Sequence, residues 1–222
     1  FRIVLSYTEE NYIKAIFHLS GDGEKEVFTN DISEELSTKP ASVTDMMKKL
    51  SLKELVNYKK YQGVTLTKSG RTSALKVIRK HRLWEVFLVE KLNFNWDEVH
   101  DIAEQLEHIQ SNLLIERLDN FLGNPAYDPH GDPIPNVDGK IKLKKMVLLS
   151  DVKEGFVGEV ACLKETSSAF LKYLDKIGIK IGTNIKVNHI VEFDASMDVT
   201  INKSKTGINI SNEVSKNIFV SL

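Results

Sequence analysis

One cysteine, Cys162, stands in 222 residues. It excludes an internal disulfide framework and fits a reducing compartment. Proline is scarce: of five, four crowd between positions 123 and 140 and mark that stretch as a loop or linker. Long apolar runs are missing too. The N-terminal FRIVL is met at once by Ser6-Tyr7-Thr8-Glu9-Glu10 and is too short for a signal peptide or a membrane span. Glu104-Gln105-Leu106-Glu107-His108 lacks the paired histidines of a zinc hydrolase. With no nucleophile elbow and no phosphate-binding glycine loop, the sequence argues against an enzyme. There is no internal repeat and no low-complexity tract. An excess of either charge is also lacking, since the formal net charge of -1 taken whole argues against a nucleic-acid partner. What is present, 41% apolar and 27% charged residues, suits a soluble globular chain of two to three small domains.

Divided by segment, the charge reads differently. From Lys39 to Arg82 twelve basic residues face two acids, Asp45 and Glu54, a net +10. From His81 to Lys145 seven basic residues face twelve acidic ones, a net -5. A basic block beside an acidic one is the layout of a nucleic-acid surface joined to a cation-binding region.

The hydrophobic periodicity predicts a helix over 8–20 with Thr8 as N-cap and Tyr12, Ile13, Ile16, Phe17 and Leu19 inward. Thr29 caps a short helix, NDISEELS. After the turn Thr38-Lys39-Pro40-Ala41-Ser42, a further helix (SVTDMMKKLSLKEL) places Val43, Met46, Met47 and Leu50 inward. LVNYKKYQGVTLT alternates on both sides of Gln62-Gly63 and reads as a β-hairpin with a basic tip. Helix, helix, turn, helix and hairpin make a winged helix-turn-helix. Its candidate DNA-facing residues are Thr29, Lys39, Pro40, Ala41, Ser42, Thr44, Lys48 and Lys49, with Lys59, Lys60 and Tyr61 on the hairpin. Small polar residues at a helix start fit the major groove, and lysines on a ribbon neutralise phosphates.

From Thr72 to Leu92 a long amphipathic helix carries Leu75, Ile78, Leu83, Trp84, Phe87, Leu88 and Leu92. This is more apolar surface than a small winged helix needs, which suggests a dimer. Two helical stretches follow between Trp96 and Phe121, with a break near 109–112. Beyond Met146 short β-rich runs and one helix, SSAFLKYLDKIG, predict a small barrel of about five strands. The expected fold is mainly α with a β-rich C-terminal domain: a winged helix-turn-helix over 1–71, a helical metal-binding and dimerisation domain over 72–140, and a small SH3-like β-barrel over 146–222.

His100, Glu104, Glu107 and His108 fall within an arc of about 100° on one helix face, and His81 and Glu85 are i and i+4 on the helix before. Imidazole and carboxylate without thiolate form a ligand set for Mn²⁺, Fe²⁺ or Zn²⁺. The residues alone leave two readings open. One is a metal-responsive DNA-binding regulator. The other is a metal-storage or hydrolytic protein whose basic face is incidental.

RKHRLWEVFLVE, EVHDIAEQLEH, ERLDNFLGNP and DPHGDPIP, set behind a winged helix, resemble the metalloregulators of the diphtheria toxin repressor family. They are most similar to the branch of manganese transport regulators with a C-terminal SH3-like (FeoA-like) domain. The resemblance implies a cytoplasmic homodimer that represses metal-homeostasis genes by binding palindromic double-stranded operator DNA. It implies no membrane association. Mn²⁺ is the implied cofactor and Fe²⁺ the alternative, with Zn²⁺ or Co²⁺ substituting in vitro. The implied primary site is Asn11, Glu104, Glu107 and His108, with His81 contributing in several members. The implied second site draws on His81, Glu85 and His100, or on Asp128 and His130, with Glu165 as a C-terminal carboxylate. Departures from the pattern are Asn11 for Asp, which brings Glu10 in as a helper, Asp128 for Cys, and Lys14 for a Glu used by two-metal members. Glu104 stands where iron-responsive members place Cys, and so points to Mn²⁺.

Overall fold

A computed structural model describes residues 4–21, 23, 25–59, 62–142, 144–202, 204 and 206–221. The chain divides into two compact units. The first runs to His81 and takes in 104–112 and 135–140; the second comprises 82–103, 113–134 and 141–222.

The first unit opens with α1 (Tyr7–Leu19). Its cap is Ser6 rather than Thr8. Ser6 Oγ accepts the amide of Glu9 at 3.3 Å and Glu9 Oε2 accepts the amide of Ser6 at 2.8 Å, a reciprocal box that Thr8 has no partner to build. α2 (Thr29–Glu35) starts after Phe28, whose amide donates to Asp31 Oδ2 at 3.2 Å, so Thr29 is the first helical residue and not the cap. α3 (Pro40–Leu52) places Pro40 in its first turn, where the missing N–H costs nothing. Strands β1 (Val56–Tyr58) and β2 (Val64–Leu66) pair antiparallel, Val56 opposite Leu66 and Tyr58 opposite Val64, as the alternation about Gln62-Gly63 requires. Ile13, Ile16, Ile32, Met47, Leu50 and Leu55 are fully enclosed. Each contributes roughly 1.5–3 kcal/mol through removal from water. Packing of α1, α2, α3 and the hairpin around these residues is what presents the outer face of α3.

Glu9 does a second task beyond capping. Its buried Oε1 lies 2.6 Å from Lys53 Nζ and 3.2 Å from Lys49 Nζ, tying α1 to α3. Burial raises the Glu9 carboxyl, but the Lys53 hydrogen bond, the Ser6 amide and Lys49 outweigh it and hold the group at about 2 instead of 4.5. A carboxyl depressed in the folded state stabilises above its unfolded value, and that stability drains as pH falls through the folded one. Both lysines are partly exposed, so we expect a screened loss of about 1–2 kcal/mol. The stability gap between wild type and Glu9→Gln in urea titrations should be full near neutral pH and close between 4.5 and about 2.

α4 (Lys68–Leu92) spans 25 residues and passes out of the first unit after His81. It is followed by α5 (His100–Leu106) and α6 (Asn112–Phe121), with the break where the sequence placed it. The apolar residues of α4 do not form the free surface expected of them. Leu75, Ile78, Leu83, Trp84 and Leu88 are buried in the chain itself. The exposed apolar side chains of this part of the second unit are Leu92, Leu113, Leu114 and Phe121.

Strands β3 (Val147–Leu148), β4 (Val157–Leu163), β5 (Asn184–Ile190), β6 (Met197–Ile201), β7 (Ile208–Ile210) and β8 (Ile218–Ser221) form one antiparallel sheet ordered β3-β8-β4-β5-β6-β7. This SH3-like sheet has six strands, one more than expected, because β3 is too short to stand out as a run. Helix α7 (Ser168–Ile177) packs Leu171 and Leu174 onto the sheet core of Val160, Leu163, Ile185, Val187, Val199 and Ile218. Trp96, between α4 and α5, belongs to the same core and donates its Nε1–H to Asp175 Oδ2 at 2.9 Å. The proline-rich stretch is not a slack linker. Between 126 and 134 it is a packed loop, with Asp128, His130 and Ile134 buried and the Leu163 amide donating to the His130 carbonyl at 3.0 Å. Among the described residues no helix is long and apolar enough to cross a membrane.

Candidate metal centre and nucleic-acid face

In the first unit α1 supplies Glu10, Asn11 and Lys14, α4 supplies His81, and α5 with the turn after it supplies Glu104, Glu107 and His108. The expected helix through His108 ends at Leu106, where the Ile109 amide turns back to the Leu106 carbonyl at 3.2 Å. That turn carries Glu107 and His108 inward. Ligand atoms of His81, Glu104 and Glu107 lie within 4.8 Å of one another.

Glu107 is the hub and is completely buried. His81 Nδ1–H donates to its Oε2 at 2.6 Å, and Lys14 Nζ donates to its Oε1 at 2.7 Å. Lys14 Nζ also contacts Glu104 Oε1. Burial raises the Glu107 carboxyl, but the His81 hydrogen bond and the Lys14 charge overcome that and hold it below the ordinary carboxylate value. His108 Nδ1–H donates to Glu10 Oε2 at 2.6 Å. This bond selects the tautomer with its lone pair on Nε2, a carboxylate–imidazole arrangement that orients metal-binding histidines. Glu10 therefore acts as the support of His108, and is itself held by Gln110 Nε2 at 3.1 Å and Lys80 Nζ at 3.5 Å.

Two polar atoms test whether these residues suit a cation. Asn11 Oδ1 and His108 Nε2 are both buried without a hydrogen-bond partner, and His108 Nε2 stands 3.5 Å from Glu107 Oε1. Buried polar groups are rarely left so. Each is a lone-pair donor, and beside Glu104 and Glu107 they complete an oxygen-and-nitrogen set fit for a hard or borderline divalent metal.

The second unit holds another cluster. Ligand atoms of Glu85, Asp128 and His130 lie within 4.8 Å of one another, all buried. His130 Nδ1 and His100 Nδ1 each stand 3.7 Å from a Glu85 oxygen. His130 Nε2–H donates to the Trp96 carbonyl at 2.8 Å. Asp128 Oδ1 accepts the amides of His130 and Asp132 at 2.9 and 3.0 Å, while Oδ2 lies 3.5 Å from Arg82 Nε. Burial and the nearby Glu85 charge push the Asp128 carboxyl up. Burial lowers His130, but the Glu85 and Asp128 carboxylates outweigh it and raise the imidazole. Glu165 joins neither cluster; its Oε1 accepts the Ser167 amide ahead of α7. Burial and the nearby Asp132 and Asp128 carboxylates push the Cys162 thiol up to about 12.

On the basic face Lys39, Pro40, Ala41, Ser42, Lys48, Lys49 and Lys59 are exposed, and Thr29 and Thr44 are half-buried. Thr44 Oγ1 donates to the Pro40 carbonyl at 3.1 Å, and Lys48 pairs with Asp45 at 2.9 Å. Lys60 and Tyr61 lie outside the described residues. By sequence Lys14 stands out only as a departure from the family's ligand pattern, and Gln110, Lys80 and Arg82 escape assignment of a role, because nothing in their spacing reveals which distant carboxylate they meet.

Residues 4–64 match the family model for the iron dependent repressor N-terminal DNA binding domain, and residues 67–136 match that for the iron dependent repressor metal binding and dimerisation domain. Residues 147–222 match the FeoA domain. A solved manganese-dependent transcriptional repressor in complex with manganese superposes with a TM-score of 0.84 at 34% identity, over 96% of this chain and 98% of that one. The chain belongs to the iron-dependent repressor, or diphtheria toxin repressor, family. The iron-dependent repressor IdeR of Mycobacterium leprae is 31% identical over 155 residues, 67% of each chain. An uncharacterised HTH-type transcriptional regulator of Methanocaldococcus jannaschii is 35% identical over 118 residues, 53% of this chain and 94% of that protein. As a member of this family, the chain is a metal-dependent, DNA-binding transcriptional repressor with a dimerisation domain, and its N-terminal winged helix is the DNA-binding part.

Proposed function

We propose that this repressor is activated by Mn²⁺ held by Asn11, Glu104, Glu107 and His108, and that it binds a palindromic operator as a homodimer. The observation that carries this reading is the placement of two buried lone-pair donors without a hydrogen-bond partner, Asn11 Oδ1 and His108 Nε2, beside two carboxylates, His108 Nε2 lying 3.5 Å from Glu107 Oε1. Glu104, offering oxygen rather than sulfur, favours Mn²⁺ over softer ions. The similarity to the manganese-dependent repressor structure supports the same choice. Glu85, Asp128 and His130 form the candidate second site.

We assign DNA binding to 1–71, metal binding and dimerisation to 72–140, and an SH3-like domain to 146–222. When bound, the metal supplies positive charge that joins lone pairs from α1 to those of the α5 turn. Asn11 of α1 and Glu104, Glu107 and His108 of α5 and its turn would hold it, adding a tie to those that Glu10–His108 and Lys14–Glu107 already make between α1 and that turn. α1 is tied through Glu9 to Lys49 of α3 and to Lys53, the residue that caps α3. The carboxylates thereby constrain the recognition helix, which in a dimer must meet half-sites about 34–36 Å apart or a multiple of that. The coupling needed is modest, about 1–3 kcal/mol. Exposed Leu113, Leu114 and Phe121 are apolar side chains suited to a dimer contact.

Operator affinity measured by gel shift should rise about 5- to 150-fold on adding Mn²⁺ and return to baseline with chelator. A steep salt dependence should mark the phosphate contacts of the basic face. The same assay under anaerobic conditions with Fe²⁺, Zn²⁺ and Co²⁺ ranks the metals. Operator affinity indifferent to every metal and to chelator would sink the proposal.

A further inference from the structure

We propose that Lys14 is a tethered competitor for the metal: its ammonium holds Glu104 and Glu107 together in the metal-free chain, and a divalent cation must displace it to gain both carboxylates. Lys14 thereby raises the metal concentration at which the repressor responds. The inference rests on the assignment of Glu104 and Glu107 as metal ligands made above.

The placement is specific. Asn11 and Lys14 are i and i+3 on α1, so they share a face. From there Lys14 Nζ reaches Glu107 Oε1 at 2.7 Å and also contacts Glu104 Oε1. Two carboxylates brought this close repel unless a cation lies between them, and Lys14 is that cation within the chain itself.

Lys14 is nevertheless an incomplete substitute for a metal. An ammonium only donates hydrogen bonds and cannot accept a lone pair through a coordinate bond. It neutralises the carboxylates but leaves Asn11 Oδ1 and His108 Nε2 buried without a hydrogen bond, the latter 3.5 Å from Glu107 Oε1. A divalent cation can take lone pairs from the amide oxygen, the imidazole nitrogen and both carboxylates together. The unsatisfied donors therefore argue that Lys14 is a placeholder rather than a permanent replacement that makes metal unnecessary.

The side chain also has a way out. Lys14 is 12% exposed whereas Glu107 is 0% exposed, so the ammonium borders solvent while its partner does not. A flexible four-carbon stem can swing a strongly hydrated ammonium into water with little strain. A metal entering with Lys14 still in place would meet a like charge on the same oxygen atoms, so exit of the ammonium accompanies entry of the metal.

The test uses the full chain and Mn²⁺ alone, read by equilibrium dialysis and by the Mn²⁺ electron paramagnetic resonance signal, together with melting temperatures with and without Mn²⁺. Lys14→Met and Lys14→Gln remove the charge, and Lys14→Arg keeps it. The metal-free state of Met and Gln loses charge-assisted hydrogen bonds, so both variants should bind Mn²⁺ about 10- to 100-fold tighter than wild type. Their metal-free melting temperature should fall, and the rise on adding Mn²⁺ should be larger. Lys14→Arg should bind no tighter than wild type. The Mn²⁺ concentration at half-maximal operator binding should shift with the measured affinity.

Wild-type or weaker Mn²⁺ affinity in both Lys14→Met and Lys14→Gln overturns the competitor role, whatever happens to their stability. If Glu107→Gln loses Mn²⁺ in that same experiment, the metal centre stands and only the competitor fails. If Glu107→Gln binds Mn²⁺ as wild type does, the centre itself is misassigned and both fall together.

Discussion

Glu107→Ala should cost this repressor about 100-fold or more in Mn²⁺ affinity, since even residues that merely support a metal ligand are worth 10- to 100-fold. Operator binding should cease to respond to metal. The same substitution should also lower stability, because Glu107 is fully buried and accepts from both His81 and Lys14. Removing one partner of a buried ion pair leaves the other charge uncompensated, at about 3–5 kcal/mol. Two measurements separate the effects. Urea denaturation of the metal-free chain reports the lost partner, and Mn²⁺ titration at temperatures where the variant is folded reports the lost ligand. Glu107→Gln keeps the shape and one acceptor oxygen but loses the charge and sets its NH2 against Lys14 or His81, so it should recover only part of the stability and little of the affinity. Wild-type Mn²⁺ affinity in the Gln variant would contradict the assignment of Glu107 as a ligand.

Gly131→Ala is expected to be as damaging by another route. Gly131 has φ +90, which side-chain-bearing residues rarely adopt, and a Cβ there would stand 2.2 Å from the Ala161 carbonyl oxygen and 2.6 Å from Cys162 Cα. Both are backbone atoms of β4, which is paired to β5 on one side and β8 on the other. The neighbours cannot yield without breaking the sheet. Backbone strain and overpacking each cost about 1–3 kcal/mol, so the sum is roughly 2–6 kcal/mol. Gly155 is the control: its φ is +83 but nothing lies within 4 Å of an added Cβ. Gly155→Ala should cost only about 1 kcal/mol. Thermal melts of the two variants check the contrast. Equal small losses would show that the loop carrying Asp128 and His130 is not locked onto β4.

Much of the architecture was legible because its signals are local. The apolar spacing of Ile13, Ile16 and Phe17, and the alternation about Gln62-Gly63, each depend on residues a few positions apart. So does the break between α5 and α6. The misjudged boundaries are those where one local signal overrode another, as when the box between Ser6 and Glu9 prevailed over Thr8. The stretch 123–140 is a loop, as its proline and glycine content indicated, but that content says nothing about burial, which comes from the close approach of Gly131 to β4 some thirty residues later. The burial of most apolar residues of α4 was likewise not legible, since spacing does not say what covers a helix face.

By itself the sequence determined the kind of chemistry: a basic winged helix, a helical region rich in imidazole and carboxylate, and a lone cysteine that gives no thiolate cluster. These follow from residue type and from periods of two and of about 3.6, which need no knowledge of distant contacts. Only the tertiary structure decided how the charges pair. It brought Lys14 onto Glu104 and Glu107 across some ninety positions, set Glu10 behind His108, and left Asn11 Oδ1 and His108 Nε2 buried without hydrogen bonds. The physical reason is range. Periodicity is local, whereas pairing of buried charges is settled by which helices the hydrophobic core brings together, and one-dimensional spacing does not encode that.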